Sequence, residues 1–255
     1  MIRLLKYDWK RNSNTLIAAT VILVLAQAVV TMIGELQHWK PLTAYILSTV
    51  IYGFAGFLSF LMVCQTYNAN LKAYSRRLLP LPSLYAVASP ILLLLACSAF
   101  IFLLFLLHEY VYVTWFGLDE TIMSALREQI TAPAAFAVSI GVAWITIVSA
   151  VYVFFCITFA KTFEGKAGTW LGIAAFIVLM FVITWLDSLI VPSSLSGDIP
   201  LGITGVSMTD GSDDNLALRM TGFQGIGLVS FLMEVGVVVA QLYGIRYMIN
   251  RKIKL

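Results

Sequence analysis

Six apolar stretches, roughly residues 16–34, 42–65, 86–107, 134–160, 169–191 and 222–247, fill most of this 255-residue chain. Crossing the hydrocarbon core of a bilayer takes about 20 helical residues, and each stretch reaches or approaches that length. Backbone polar groups inside lipid must be satisfied within their own segment, which makes each run a helix. The expected fold class is therefore an all-α integral membrane protein with six transmembrane helices. Composition leaves room for little else, because 60% of residues are hydrophobic and 11% charged, whereas a soluble domain carries roughly a quarter charged. The longest polar connections, residues 109–133 and 192–221, are too short for an independently stable core. A catalytic domain, if one is needed, belongs to another chain.

Charge sets the expected orientation. Arg3, Lys6, Lys10 and Arg11 precede the first span; Lys72, Arg76 and Arg77 follow the second; Lys161 and Lys166 follow the fourth; Arg246, Arg251, Lys252 and Lys254 close the chain. The other three connections hold Lys40, Arg127 and Arg219. The positive-inside rule then places both termini and two short loops in the cytoplasm. Acidic residues mirror this, with Glu109, Asp119, Glu120 and Glu128 in one outer loop and Asp198, Asp210, Asp213 and Asp214 in another. The net charge of +3 is concentrated on the face that meets anionic lipid and argues for the lipid bilayer, not nucleic acid, as the charged partner.

Several chemistries find no support. Cys64, Cys97 and Cys156 fall within apolar spans, with no Cys/His cluster for a metal, and read as small core residues. His38 and His108 sit near the outer ends of spans and read as interfacial polar residues, leaving no intramembrane imidazole for base chemistry. The basic start, the apolar run and Ala26-Gln27-Ala28 imitate a secretory signal, but the run continues to Gly34 and reads as a full span. Residues 210–214 lack calcium-loop spacing and read as a solvated turn. No catalytic residue or metal ligand is assigned.

Two cytoplasmic features stand out. On a wheel of 100° per residue, Ile2, Leu5 and Trp9 share one face and Arg3, Lys6 and Lys10 another. This predicts an amphipathic interfacial helix over residues 1–14, with Trp9 at head-group depth. The connection after the second span is longer than a turn requires. Residues 70–79 are good helix formers stopped by Pro80 and Pro82, which predicts a short cytoplasmic helix carrying Asn70, Leu71, Lys72, Tyr74, Arg76 and Arg77. Residues 161–168, with Phe163, Glu164 and Lys166, form a second inner contact.

As a set, the basic start Leu4-Leu5-Lys6-Tyr7-Asp8-Trp9-Lys10-Arg11, the six spans with both ends inside, the segment from Tyr74 to Pro82 and the longer outer region before the last span resemble the type-2 ATP-binding-cassette permeases of bacteria. The resemblance covers the whole length. It implies an elbow at residues 2–11 around Lys6, Trp9 and Lys10, and an ATPase-coupling helix at 70–79. Glu164 and Lys166 become secondary contacts. It further implies two copies of a cytoplasmic ATPase subunit that hold ATP and Mg, a second permease chain of the same or a paralogous kind, and a place in the bacterial cytoplasmic membrane. Size and the lack of a fused ATPase look most like exporters of amphipathic peptides, such as phenol-soluble modulin exporters and lantibiotic-immunity permeases. The chain has no Gly-x-x-x-x-Gly-Lys-[Ser/Thr] loop, so a nucleotide site of that kind would be on the partner.

Polar groups inside spans are the candidate pathway residues. Glu234, in the middle of the last span, is costly there unless protonated, paired or facing water. It reads either as a pathway group or as a carboxyl bonded to a neighbour such as Gln27. Gln27, Gln65, Gln224 and Gln241 read first as interhelical hydrogen-bonding groups, with Gln27 and Gln65 also kept as pathway candidates. Gly168 and Gly172 fit small-xxx-small packing and are candidates for a dimer interface. Residues 187–220 read as a re-entrant or surface-lying segment. The alternatives are an ion-coupled secondary transporter, for which no internal repeat is visible, and an integral membrane enzyme, for which acids and bases do not cluster.

Overall fold

The computed structural model describes residues 2–39, 41–72, 84–116, 132–163, 166–190, 206–209, 217–220 and 228–251. Six long helices follow in order: α1 (Ile2–Leu36), α2 (Pro41–Lys72), α3 (Tyr85–Phe116), α4 (Ala132–Ala160), α5 (Lys166–Ile190) and α6 (Leu228–Arg251). Each is long and apolar enough to cross a membrane, and the chain is a multi-pass membrane protein. Their surfaces say the same: Ile22, Val29, Met32, Phe102, Leu103, Ile177 and Phe181 are all exposed, an apolar display that water does not tolerate and lipid does.

Three helices run further than the apolar stretches alone indicate. Where an elbow over residues 1–14 is expected to precede a separate span, α1 is unbroken from Ile2 to Leu36. Asn12 and Ser13, weak helix formers, turn their side chains back onto the backbone carbonyls of Asp8 (2.8 Å) and Lys10 (2.9 Å), and no Pro or Gly interrupts the junction. The helix ends in a turn in which His38 takes a positive φ of 51° and the Trp39 amide bonds the Gly34 carbonyl at 2.9 Å.

α2 likewise absorbs the start of the expected coupling helix. Asn70, Leu71 and Lys72 form its last turn, and Asn70 and Leu71 are buried. Tyr74, Arg76 and Arg77 lie outside the described residues, as does Glu164. α3 continues nine residues past the apolar stretch, so Glu109, expected in an outer loop, is a buried helical residue.

The helices are accompanied by two four-residue strands in the segment expected to be re-entrant or surface-lying, β1 (Val206–Thr209) and β2 (Ala217–Met220). They pair antiparallel with Val206 opposite Met220 and Thr209 opposite Ala217. The acidic stretch 210–214 and Gln224 lie outside the described residues.

The chain divides into two compact units, one of Met1–Ala69 with Ala88–Arg127, the other of Asn70–Val87 with Glu128–Leu255. In the second, α4 packs against both α5 and α6 around Val151 and Phe154. Gly168 and Gly172 make the α4–α5 approach close: a Cβ at 168 would stand 2.5 Å from the Ala160 carbonyl, and one at 172 would stand 2.8 Å from the Ala160 Cβ. The small-residue face assigned above to a dimer interface is thus filled by this chain's own α4. Gly244 of α6 makes a similar approach to the Phe155 ring, 2.9 Å from its would-be Cβ.

Candidate functional site

Within the first unit, polar side chains of α1, α2 and α3 meet at two levels. Near the α1 N-terminus, Asp8 is fully buried and its Oδ2 accepts the Ser89 hydroxyl at 2.7 Å. One turn on, Arg11 donates to the Thr66 carbonyl at 3.2 Å, and the Asn12 amide donates to the Thr66 hydroxyl at 3.0 Å. A carboxylate, a guanidinium and an amide thus tie the basic start of the chain to the far end of α2 and the beginning of α3. The sequence reading grouped Arg11 with the orientation-setting cations and gave Asp8 no role. The signal was a lone acid among four cations at helical spacing. Lys6, Trp9 and Lys10 occupy the opposite, exposed face of the same turns, where an interfacial role remains open to them.

The second level lies towards the other end of these helices. Gln27 of α1 is buried and reciprocally bonded to Ser48 of α2: its amide nitrogen donates to the Ser48 carbonyl at 3.1 Å, and its oxygen accepts the Ser48 hydroxyl at 3.0 Å. Ser48 Oγ also lies 3.3 Å from Nδ1 of His108, whose Nε2 is 3.2 Å from the Thr31 hydroxyl. Three helices are therefore joined through one imidazole. The ring stands beside Tyr52, at a centroid distance of 5.9 Å, and Tyr112, at 6.2 Å. The Tyr52 hydroxyl donates to the Leu104 carbonyl.

A narrow cleft adjoins this network, lined by Thr31, Tyr45, Ser48, His108, Glu109 and Tyr112, among others. His108 lies four residues from the end of the membrane-length segment Tyr85–Tyr112. Gln27 makes the interhelical hydrogen bond expected of it, with Ser48.

In the second unit the Trp144 indole donates to Glu234 Oε2 at 2.7 Å, and the Phe231 ring lies 5.2 Å from the Trp144 ring. An indole N–H only donates, so this bond persists whether or not the carboxyl is protonated. Gln241, about two helical turns further along α6, is buried with neither polar atom of its amide hydrogen-bonded among the described residues, against its expected interhelical role. Gln65 is exposed on α2.

At the membrane edge of this unit, burial and the nearby Lys72 ammonium hold the Lys161 side chain below the usual lysine range. The end of α2 and the turn after α4 therefore hold their cations close together. Lys166 opens α5. No family model, curated protein or solved structure matches this chain.

Proposed function

We propose that this chain is the transmembrane permease subunit of an ATP-driven exporter, moving an amphipathic or hydrophobic substrate, a peptide, toxin or antimicrobial, across a bacterial cytoplasmic membrane. The ATPase is a separate cytoplasmic subunit in two copies, which hold the ATP and Mg, and two permease chains, identical or paralogous, flank the pathway. The observation that carries the reading is the convergence of Lys72 and Lys161. Like charges held near one another weaken a chain alone and are relieved by an acidic docking partner. They stand at the two connections that the charge pattern assigns to the cytoplasm. Six membrane-length helices supply a permeation scaffold, and the sequence lacks a phosphate-binding loop.

The test is purification of the tagged chain from its native membrane with its soluble partners, followed by ATPase assay. A stoichiometric ATPase whose association is lost in an Arg76→Glu, Arg77→Glu double variant, and weakened in Lys161→Glu, is the expected result. A chain that purifies alone, with no nucleotide-dependent partner, overturns it.

A second reading, an ion-coupled transporter, is favoured by the number of ionisable side chains within membrane-length helices: Asp8, His108, Glu109 and Glu234. Such groups are expensive in lipid and mark ion pathways. Transport that follows an imposed pH gradient in vesicles devoid of ATPase would select it.

A further inference from the structure

Hydrogen counting around His108 fixes where its proton sits. The Gln27 amide nitrogen donates to the Ser48 carbonyl, which turns Gln27 Oε1 towards the Ser48 hydroxyl and commits that hydroxyl's single proton to it. Towards Nδ1 of His108, Ser48 Oγ is left to accept, so Nδ1 carries the hydrogen. In the neutral ring Nε2 is then bare and takes the Thr31 hydroxyl proton. The opposite neutral tautomer would leave Nδ1 or Gln27 Oε1 a buried acceptor without a donor, which is costly.

The Thr31 hydroxyl has a second acceptor in reach, the Gln27 carbonyl at 2.9 Å. Turning to it exposes Thr31 Oγ1 as an acceptor for a proton on Nε2. One hydroxyl rotation therefore converts the network from holding a neutral imidazole to holding an imidazolium, and the charged ring gains a hydrogen bond. The facing ionisable groups are Glu109 and Tyr112 of α3 and Tyr45 of α2 in the cleft, with Tyr52 of α2 against the ring. Among the described residues no lysine or arginine lines the cleft, and Glu109 is the acidic side chain in its lining.

We propose that His108 is a reversible proton-binding site, set by Gln27 and Ser48 in the Nδ1–H tautomer when neutral and charged at Nε2 by a proton arriving through the adjoining cleft, with Thr31 as the rotor that accommodates it. The proton bonds to the Nε2 lone pair, no other bond breaks, and deprotonation releases it through the cleft to solvent. This site is independent of the exporter reading, since it needs neither nucleotide nor partner.

The chain has two histidines, so a His38→Asn chain contains a single imidazole; Asn tolerates the positive φ at that turn. ¹⁵N-histidine-labelled His38→Asn protein in lipid nanodiscs reports that ring directly as pH is lowered. The expected spectrum shows a proton on Nδ1 and a bare Nε2 at high pH, then both nitrogens protonated. Thr31→Val lowers the midpoint by about one pH unit, roughly tenfold weaker proton binding, the scale of one hydrogen bond to a charged group. Ser48→Ala moves the neutral ring's proton to Nε2, a readout that a loss of stability alone does not produce. A neutral ring protonated at Nε2 in the His38→Asn protein, no second protonation down to about pH 4, a Ser48→Ala ring that keeps its proton on Nδ1, or a midpoint unmoved by Thr31→Val each overturns the proposal.

Discussion

Single side chains carry most of the specificity in this molecule, because a polar group inside lipid has few partners to choose from. Ser89→Ala deprives the buried Asp8 carboxyl of its 2.7 Å donor. The expected cost is about 1–3 kcal/mol, the range for hydrogen bonds to charged groups and for orphaned buried ones, read as a lower unfolding midpoint in detergent. At Glu234 the asymmetry of the indole decides: Glu234→Gln keeps an acceptor for Trp144 and costs little, whereas Trp144→Phe leaves the carboxyl without that donor. Trp144→Phe is expected to be the more destabilising by about 1 kcal/mol, and a double-mutant cycle measures the coupling.

Lys161 has the opposite character. Its ammonium is disfavoured in the folded chain, so folding is penalised at every pH where the group is charged, and the penalty fades only as pH climbs through its lowered value in the alkaline range. Lys161→Gln should therefore raise the unfolding midpoint of the isolated chain at neutral pH. The same change should weaken its association with an acidic partner.

At the scale of helices, the apolar runs were legible and their ends were not. Twenty consecutive apolar residues announce a span by length alone, and all six are present. The continuation of α1 back to Ile2, of α2 through Asn70 and of α3 past Glu109 depends on contacts made 50 to 80 residues away in sequence, such as Asn12 with Thr66 and Asp8 with Ser89. Nothing in the local pattern records them. The His108 network was hidden for the same reason: its members, Gln27, Thr31 and Ser48, are ordinary span polar residues until α3 brings the ring between them. The glycines show the limit from the other side, since spacing identified Gly168 and Gly172 as packing residues but left their partner open. Gly168→Ala should push α5 off α4 and cost about 1–3 kcal/mol, as overpacking does. Gly236, with nothing within 4 Å of its would-be Cβ, should accept Ala neutrally or gain up to about 1 kcal/mol of helix propensity. Thermal unfolding of the two variants side by side gives the comparison.

For the molecule as a whole, the distribution of cations predicts that both termini share one side of the membrane and residues 210–214 the other. With Cys64, Cys97 and Cys156 replaced by Ala, a membrane-impermeant thiol reagent applied to intact cells should label Asp213→Cys. Lys254→Cys should react only after permeabilisation, and the reverse pattern would invert the topology. Inside the first unit, the 35 uninterrupted residues of α1 make it a stiff lever with polar grips near both ends, Asp8 at one and Thr31 at the other. These grips lie about 35 Å apart at 1.5 Å per residue, so a tilt of roughly 5° about the Asp8 end sweeps Thr31 through roughly 3 Å. That sweep is as long as the hydrogen bond it holds, so a tilt of this size parts Thr31 from the imidazole.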